Sequence, residues 1–195
     1  IGVVGAGQMG NGIAHVCALS GYNVAINDIA DESLKKADAT IRKNMARQVS
    51  REVISQEEMD TAMGRITFST SMSSLSDVDL AIEAATEKEA IKVQIFESLV
   101  KAVPKTAWLA SNTSSISITR LASTTDRPER FIGLHFMNPV PVMQLIEVIR
   151  GLATDQETYE MALGFAERLH KTVANAEDFP AFIVNRVLMP MINEA

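Results

Sequence analysis

The first twelve residues constrain this chain more than any others. Ile1-Gly2-Val3-Val4-Gly5-Ala6-Gly7-Gln8-Met9-Gly10-Asn11-Gly12 is an apolar run that breaks into Gly-x-Gly-x-x-Gly. Gly5 permits a tight turn out of a buried strand, Gly7 lets backbone approach a pyrophosphate, and Gly10 lets the next helix pack on the sheet. That helix aims its unpaired N–H groups at the phosphates. Glycine spacing alone is weak, but its context is complete. Residues 13–19 read as a helix stopped near Gly21, residues 23–27 as a second strand, and Asp28 follows Gly10 by eighteen residues. A carboxylate there accepts hydrogen bonds from the adenosine ribose hydroxyls and repels a 2′-phosphate, so NAD is expected rather than NADP. Gly5, Gly7, Gln8, Met9, Gly10 and Asp28 are the first cofactor-binding candidates.

Composition narrows the class of protein. The 195 residues are 47% hydrophobic and 22% charged, enough for one α/β domain with some chain to spare. No apolar run approaches the roughly 18 residues that a membrane-spanning helix requires. A net charge of −6 argues against nucleic acid or an anionic membrane as partner. The single cysteine, Cys17, excludes an internal disulfide and, on an apolar helix face, is expected in the core. The expected location is cytoplasmic, and no metal site is expected. Ile1 stands inside the first strand, and residues 189–195 stop in what reads as an unfinished helix. The chain is therefore read as a fragment.

Beyond Asp28 a polar stretch from Asp31 to about Gln48 is expected to be helical, with Asp31 as N-cap. Lys43, Arg47 and Arg51 recur at four-residue steps and would share one face if the helix continues. Residues 55–63 read as the return arm of a helical hairpin ending at Gly64. Alternation then resumes, with strands at 65–69, 79–84 and 107–111 and a helix over 89–103 ending before Pro104. This pattern predicts an α/β Rossmann-type doubly wound sheet, mostly parallel, with helices on both faces. Ligands in such sheets lie beyond the carboxyl ends of the strands, which makes 84–88 and 111–115 cleft segments.

Within the second segment, Ser111-Asn112-Thr113-Ser114-Ser115 supplies hydroxyls that can cap a short helix starting near Ser117 or reach a substrate oxygen. Residues 131–149 read as two strands meeting at a Pro139-Val140-Pro141 turn. If they pair antiparallel about 140–141, His135 lies opposite or diagonal to Glu147 on one face, within side-chain reach. Such a pair suits alcohol oxidation, in which a base takes the hydroxyl proton as hydride leaves. The carboxylate would orient the imidazole and stabilise its cation. His15 and His170 stand on apparently helical segments without a polar constellation and are expected to be structural or exposed.

Several motifs taken together resemble one family. Gly5-Ala6-Gly7-Gln8-Met9-Gly10, Ser111-Asn112-Thr113-Ser114-Ser115, His135-Phe136-Met137-Asn138-Pro139-Val140-Pro141-Val142-Met143, Glu147-Val148-Ile149 and Phe182-Ile183-Val184-Asn185-Arg186 are similar to segments of the (S)-3-hydroxyacyl-CoA dehydrogenases. The resemblance spans the chain and is nearest to the bacterial 3-hydroxybutyryl-CoA members. It implies NAD-dependent oxidation of a 3-hydroxyacyl-CoA to the 3-ketoacyl-CoA, with His135 as base and Glu147 as its partner. It further implies that Ser114 and Asn185 hold the substrate oxygen, that Glu87, Lys92, Ser114 and Asn138 lie near the cofactor, and that Asn44 and Arg51 lie where the hairpin meets CoA. Asn44 and Arg51 depart from the Ser and Lys expected there. So does Phe179-Pro180-Ala181, where many members carry Gly after Pro; Ala fits if the backbone is helical at that point. The resemblance implies a Rossmann-like domain over 1–178 with the hairpin at about 31–63. Residues 179–195 would begin an all-α C-terminal domain that forms the homodimer and leaves Phe182, Val187, Leu188 and Ile192 exposed when incomplete. A dehydrogenase of free hydroxy or sugar acids and a non-catalytic crystallin-like NAD binder share the fold and remain alternatives.

Overall fold

A computed structural model describes residues 1–195. Eight strands form one sheet in the order β3-β2-β1-β4-β5-β6-β7-β8. They are β1 (Gly2–Val4), β2 (Val24–Asn27), β3 (Ile66–Ser69), β4 (Leu80–Glu83), β5 (Trp108–Ser111), β6 (Phe131–Phe136), β7 (Leu145–Arg150) and β8 (Thr172–Glu177). The first six are parallel, and β7 turns back antiparallel to β6, with β8 running parallel to β7. Strand order reverses between β1 and β4, so the crevice expected at such a switch point opens beside the glycine loop.

Apolar side chains on the two sheet faces form separate cores. One packs α1 (Gln8–Leu19), α2 (Asp31–Ser50), α3 (Gln56–Gly64) and α6 (Gln156–Arg168) through Ile13, Ile41, Met63 and Phe165. The other packs α4 (Glu89–Ala102) and α5 (Ile118–Ala122) through Phe96, Leu99 and Leu121. In β6 the alternation is explicit: Ile132, Leu134 and Phe136 face the first core, Phe131 the second.

The helical hairpin follows from its own sequence. Leu34, Ala37, Ile41 and Met45 recur at helical spacing and are buried along α2. Asp31 and Glu32 stand in its first turn and Arg47 in its last, signs that complement the helix dipole. Asp31 is not the N-cap, however. Ala30 holds that extended position without a side-chain cap, and Asp31 sits inside the first turn, 2.7 Å from Lys35. The helix covers Lys43 and Arg47 but ends at Ser50, leaving Arg51 as the capping residue rather than a third member of one helical face. Across the turn, Ser55 and Glu58 form a reciprocal capping box that starts α3.

Three further expectations are corrected. His170 lies beyond α6 in a turn with φ of 54°. Ala181 is not helical but left-handed, with φ of 67°, and Phe182 follows at 49°. Pro180 therefore precedes a reversal, and α7 begins only at Val184, running to Glu194. The reversal folds Phe182 inward until it is 3% exposed, whereas Val187, Leu188 and Ile192 do remain exposed. Strand β8, whose polar Thr172-Val173-Ala174-Asn175-Ala176-Glu177 run carries little strand signal, exists because it completes pairing along β7.

Candidate active site

Asp28, Glu87, Ser114 and His135 all lie at or just beyond the carboxyl ends of the parallel strands. Gly5 leaves β1 with φ of 102°, and a Cβ there would lie 2.5 Å from Ala85 Cα. A Cβ on Gly10 would stand 1.8 Å from Gly5 O. Protein packing therefore demands both glycines. A Cβ on Gly7 meets nothing within 4 Å, so packing does not require glycine there, which leaves the N-cap position and the close approach of a ligand to the backbone as its reasons. Gly7 caps α1, whose first turn has no side-chain cap and no acidic residue, so N–H groups of Gln8, Met9 and Gly10 are available to an anion. Asp28 Oδ2 accepts from Ala6 N at 2.8 Å and Oδ1 from Ala30 N at 3.0 Å. This carboxylate pins the glycine loop and keeps lone pairs for ribose hydroxyls. The donor and acceptor set fits a dinucleotide.

Beside the loop lies a cleft of about 430 Å³ lined by Gly7, Gln8, Lys36, Thr40, Asn44 and Asn138, among others. Gln8 Nε2 donates to Asn138 Oδ1 at 3.0 Å, tying α1 to the segment after β6. Asn44 faces this cleft; Arg51, exposed at the end of α2, does not line it. A larger cleft of about 790 Å³ opens at the opposite ends of the strands, near Asn23, Asp79 and Trp108, and contains none of the candidate residues.

The antiparallel return of β7 places Glu147 directly across from His135. Their Nδ1 and Oε2 atoms are 2.6 Å apart. Glu147 is wholly buried, yet its second oxygen accepts from Ile183 N and Val184 N, each at 2.8 Å. Burial pushes the Glu147 carboxyl up, but the bonds from His135, Val184 and Ile183 outweigh it and hold the group below its ordinary range. An ionised carboxylate only accepts, so the imidazole proton resides on Nδ1. Nε2, which has no protein partner, is left as the basic nitrogen. The Phe182 ring lies 6.2 Å from the imidazole, centroid to centroid.

Glu87 gathers the loop after β5. Its Oε1 takes Thr113 Oγ1 at 2.6 Å, Ser114 N at 2.8 Å and Ser114 Oγ at 3.0 Å. Asn185, from the first turn of α7, donates through Nδ2 to Ser114 O at 3.1 Å. Asn112 Oδ1 accepts from Phe136 N at 2.9 Å, which joins that loop to the strand carrying His135. Ser114, His135, Glu147 and Asn185 thus occupy one connected patch assembled from four segments.

Lys92 reaches this region only from within the fold. Its ammonium is wholly buried, paired with the equally buried Glu83, and it donates to Ser111 Oγ at 3.2 Å. Glu83 also accepts from Ser111 Oγ and from Ala85 N. This triad supports the β4 and β5 ends from below and lies 3.9 Å from Glu87 Oε2. Sequence reasoning missed Glu83 and read Ser111 only as one hydroxyl of the run at the end of β5. The signal for Glu83 was a carboxylate closing an otherwise apolar strand, Leu80-Ala81-Ile82-Glu83. It also missed Asp178, which accepts from Ser117 Oγ, Ile118 N and Thr119 N and so caps α5. His15 has a polar partner after all: it is buried, with Nε2 3.0 Å from Gln48 Oε1, which suits a structural role.

Residues 1–179 match the family model described as 3-hydroxyacyl-CoA dehydrogenase, NAD binding domain. The chain belongs to this family. NAD is the cofactor by which the family domain is described, and it fits the loop geometry above. The chain is 57% identical to the 3-hydroxybutyryl-CoA dehydrogenase of Bradyrhizobium diazoefficiens, over 100% of this chain and 67% of that protein. The crystal structure of (S)-3-hydroxybutyryl-CoA dehydrogenase from Ralstonia eutropha superposes with a TM-score of 0.97 at 46% identity, covering 99% of this chain and 68% of that one. A 3-hydroxybutyryl-CoA dehydrogenase structure from Escherichia coli K12 gives 0.96 at 39% identity, covering 99% and 41%. This chain spans about two thirds of the length of the first two relatives.

Proposed function

We propose that the full-length protein reversibly oxidises an (S)-3-hydroxyacyl-CoA, with 3-hydroxybutyryl-CoA as the fitting substrate, to the 3-ketoacyl-CoA. The observation that carries this reading is the 2.6 Å His135–Glu147 contact, which leaves Nε2 as a base on the strand whose following segment, through Asn138, bonds Gln8 of the glycine loop. NAD, when bound, supplies the hydride acceptor. His135 Nε2 takes the hydroxyl proton as C3 gives up its hydride, and Glu147 stabilises the imidazolium that forms. Ser114 Oγ and the second N–H of the Asn185 amide hold the oxygen as it becomes a carbonyl.

Gly5, Gly7, Gln8, Met9 and Gly10 cradle the pyrophosphate, and Asp28 takes the adenosine ribose. Glu87, Ser114 and Asn138 complete the cofactor site, with Lys92 acting through Glu87 because its own ammonium is enclosed. Asn44 lies along the cleft in which CoA would run, and Arg51 offers a charge to the CoA phosphates at the rim. Residues 179–195 open a helical domain, and the exposed Val187, Leu188 and Ile192 of α7 suit burial within it and formation of a homodimer. The cytoplasm is the proposed location.

NADH absorbance tests this reading, using full-length protein with acetoacetyl-CoA or free acetoacetate and a His135→Gln variant alongside. Turnover of the thioester alone, lost in the variant, is expected. Turnover of the free acid instead, or none by folded wild type, would overturn it.

A further inference from the structure

More donors converge on Glu87 than its chemistry can serve. Besides Thr113 Oγ1, Ser114 N and Ser114 Oγ, its Oε1 lies 3.2 Å from both Ser115 N and Ser115 Oγ. One carboxylate oxygen has about two lone pairs, so five donors compete for it. The carboxylate cannot simply lose its charge to relieve the crowding. Burial pushes it up, but the bonds from Thr113 and Ser114 and the charge of Lys92 prevail and hold it below its ordinary range. Lys92 in turn cannot move away, because Glu83 and Ser111 enclose it.

Ser114 is the donor with most at stake. Its hydroxyl has a single proton, and a proton given to Glu87 cannot also be given to a substrate carbonyl. Thr113 and the two backbone N–H groups can keep the loop in place whichever way that hydroxyl turns. We propose that Glu87 couples the two ligands: a ribose diol that bonds Glu87 displaces Ser114 Oγ–H from it and frees that proton for the 3-ketoacyl oxygen. Dinucleotide binding then tightens thioester binding, and by linkage the thioester tightens dinucleotide binding by the same factor. The inference rests on the proposed roles of Ser114 toward substrate and Glu87 toward NAD.

Calorimetric binding of acetoacetyl-CoA to the full-length protein, with and without saturating NAD, tests the coupling without turnover, since both ligands are oxidised. Wild type is expected to bind the thioester about tenfold more tightly with NAD. In Glu87→Gln the neutral amide is a weaker acceptor, so affinity without NAD should rise severalfold toward the wild-type value with NAD. A merely damaged protein would lose affinity instead. In Ser114→Ala the NAD effect should shrink below about twofold, and this variant decides the matter if Glu87→Gln does not fold. Equal coupling in wild type and either variant, or none in wild type, overturns the proposal. Absence of thioester binding under every condition, with NAD still bound, overturns the substrate assignment beneath it.

Discussion

His135 and Glu147 face each other across the one antiparallel junction of the sheet, and Glu147 is held from behind by the backbone N–H groups of Ile183 and Val184. Glu147→Gln keeps the size but puts an amide donor near Nδ1, which favours the wrong tautomer. We expect kcat to fall by about 100-fold or more with KM little changed, read by NADH absorbance on the full-length protein. A kcat within twofold of wild type would remove Glu147 from the mechanism.

The glycines of the loop separate by what requires them. Gly10→Ala forces a Cβ to 1.8 Å from Gly5 O and should destabilise the fold by several kcal/mol. Gly7→Ala meets no protein atom and gives up only a glycine N-cap, so it should cost no more than about 1 kcal/mol in urea unfolding while NAD affinity drops by tenfold or more. Comparable loss of stability in the two variants would contradict this division.

Ala181 spends its place in the chain at φ of 67°, where a Cβ crowds the backbone. Ala181→Gly removes that crowding at the cost of a more flexible unfolded chain. A net gain of up to about 1 kcal/mol is expected from urea unfolding. An unchanged or lower midpoint would show that the turn carries no strain.

Three carboxyls, Glu87, Glu147 and Asp178, are opposed by burial but held below their ordinary values by the hydrogen bonds they accept. The folded protein therefore binds their protons less readily than the unfolded chain. Their stabilisation is complete above the ordinary carboxylate range and is lost as pH falls through the lower folded values. Asp178→Asn should lower stability at pH 7 by about 1–3 kcal/mol through weaker capping of α5. It should also flatten the decline below about pH 4. Parallel curves for wild type and variant between pH 7 and pH 3 would rule out Asp178 as a contributor.

Local chemistry explains what was readable in advance. Gly5, Gly7 and Gly10 declare a backbone requirement by spacing alone. The strand period of two placed His135 opposite or diagonal to Glu147 given a turn at 140–141, and the pairing register in the sheet makes them directly opposite. The buried Glu83–Lys92 pair was harder to see. Its partners lie on a strand and a helix, and nothing in either segment alone says that the two charges neutralise each other. Ala181 misled for a similar reason: its composition suits a helix, but the chain must reverse there to aim Ile183 and Val184 at Glu147.

Sequence by itself determined the strand and helix periods, the glycine loop, the acid that follows β2 and the nearness of His135 to Glu147, all of which depend on neighbours along the chain or across one turn. Tertiary structure decided that Glu87 binds Ser114, that Asn185 reaches the same loop, that Lys92 is enclosed, and that β8 and the reversal before α7 exist. Those outcomes depend on polar groups, buried in the case of Lys92 and partly so elsewhere, finding partners far along the chain, where pairing outweighs local preference.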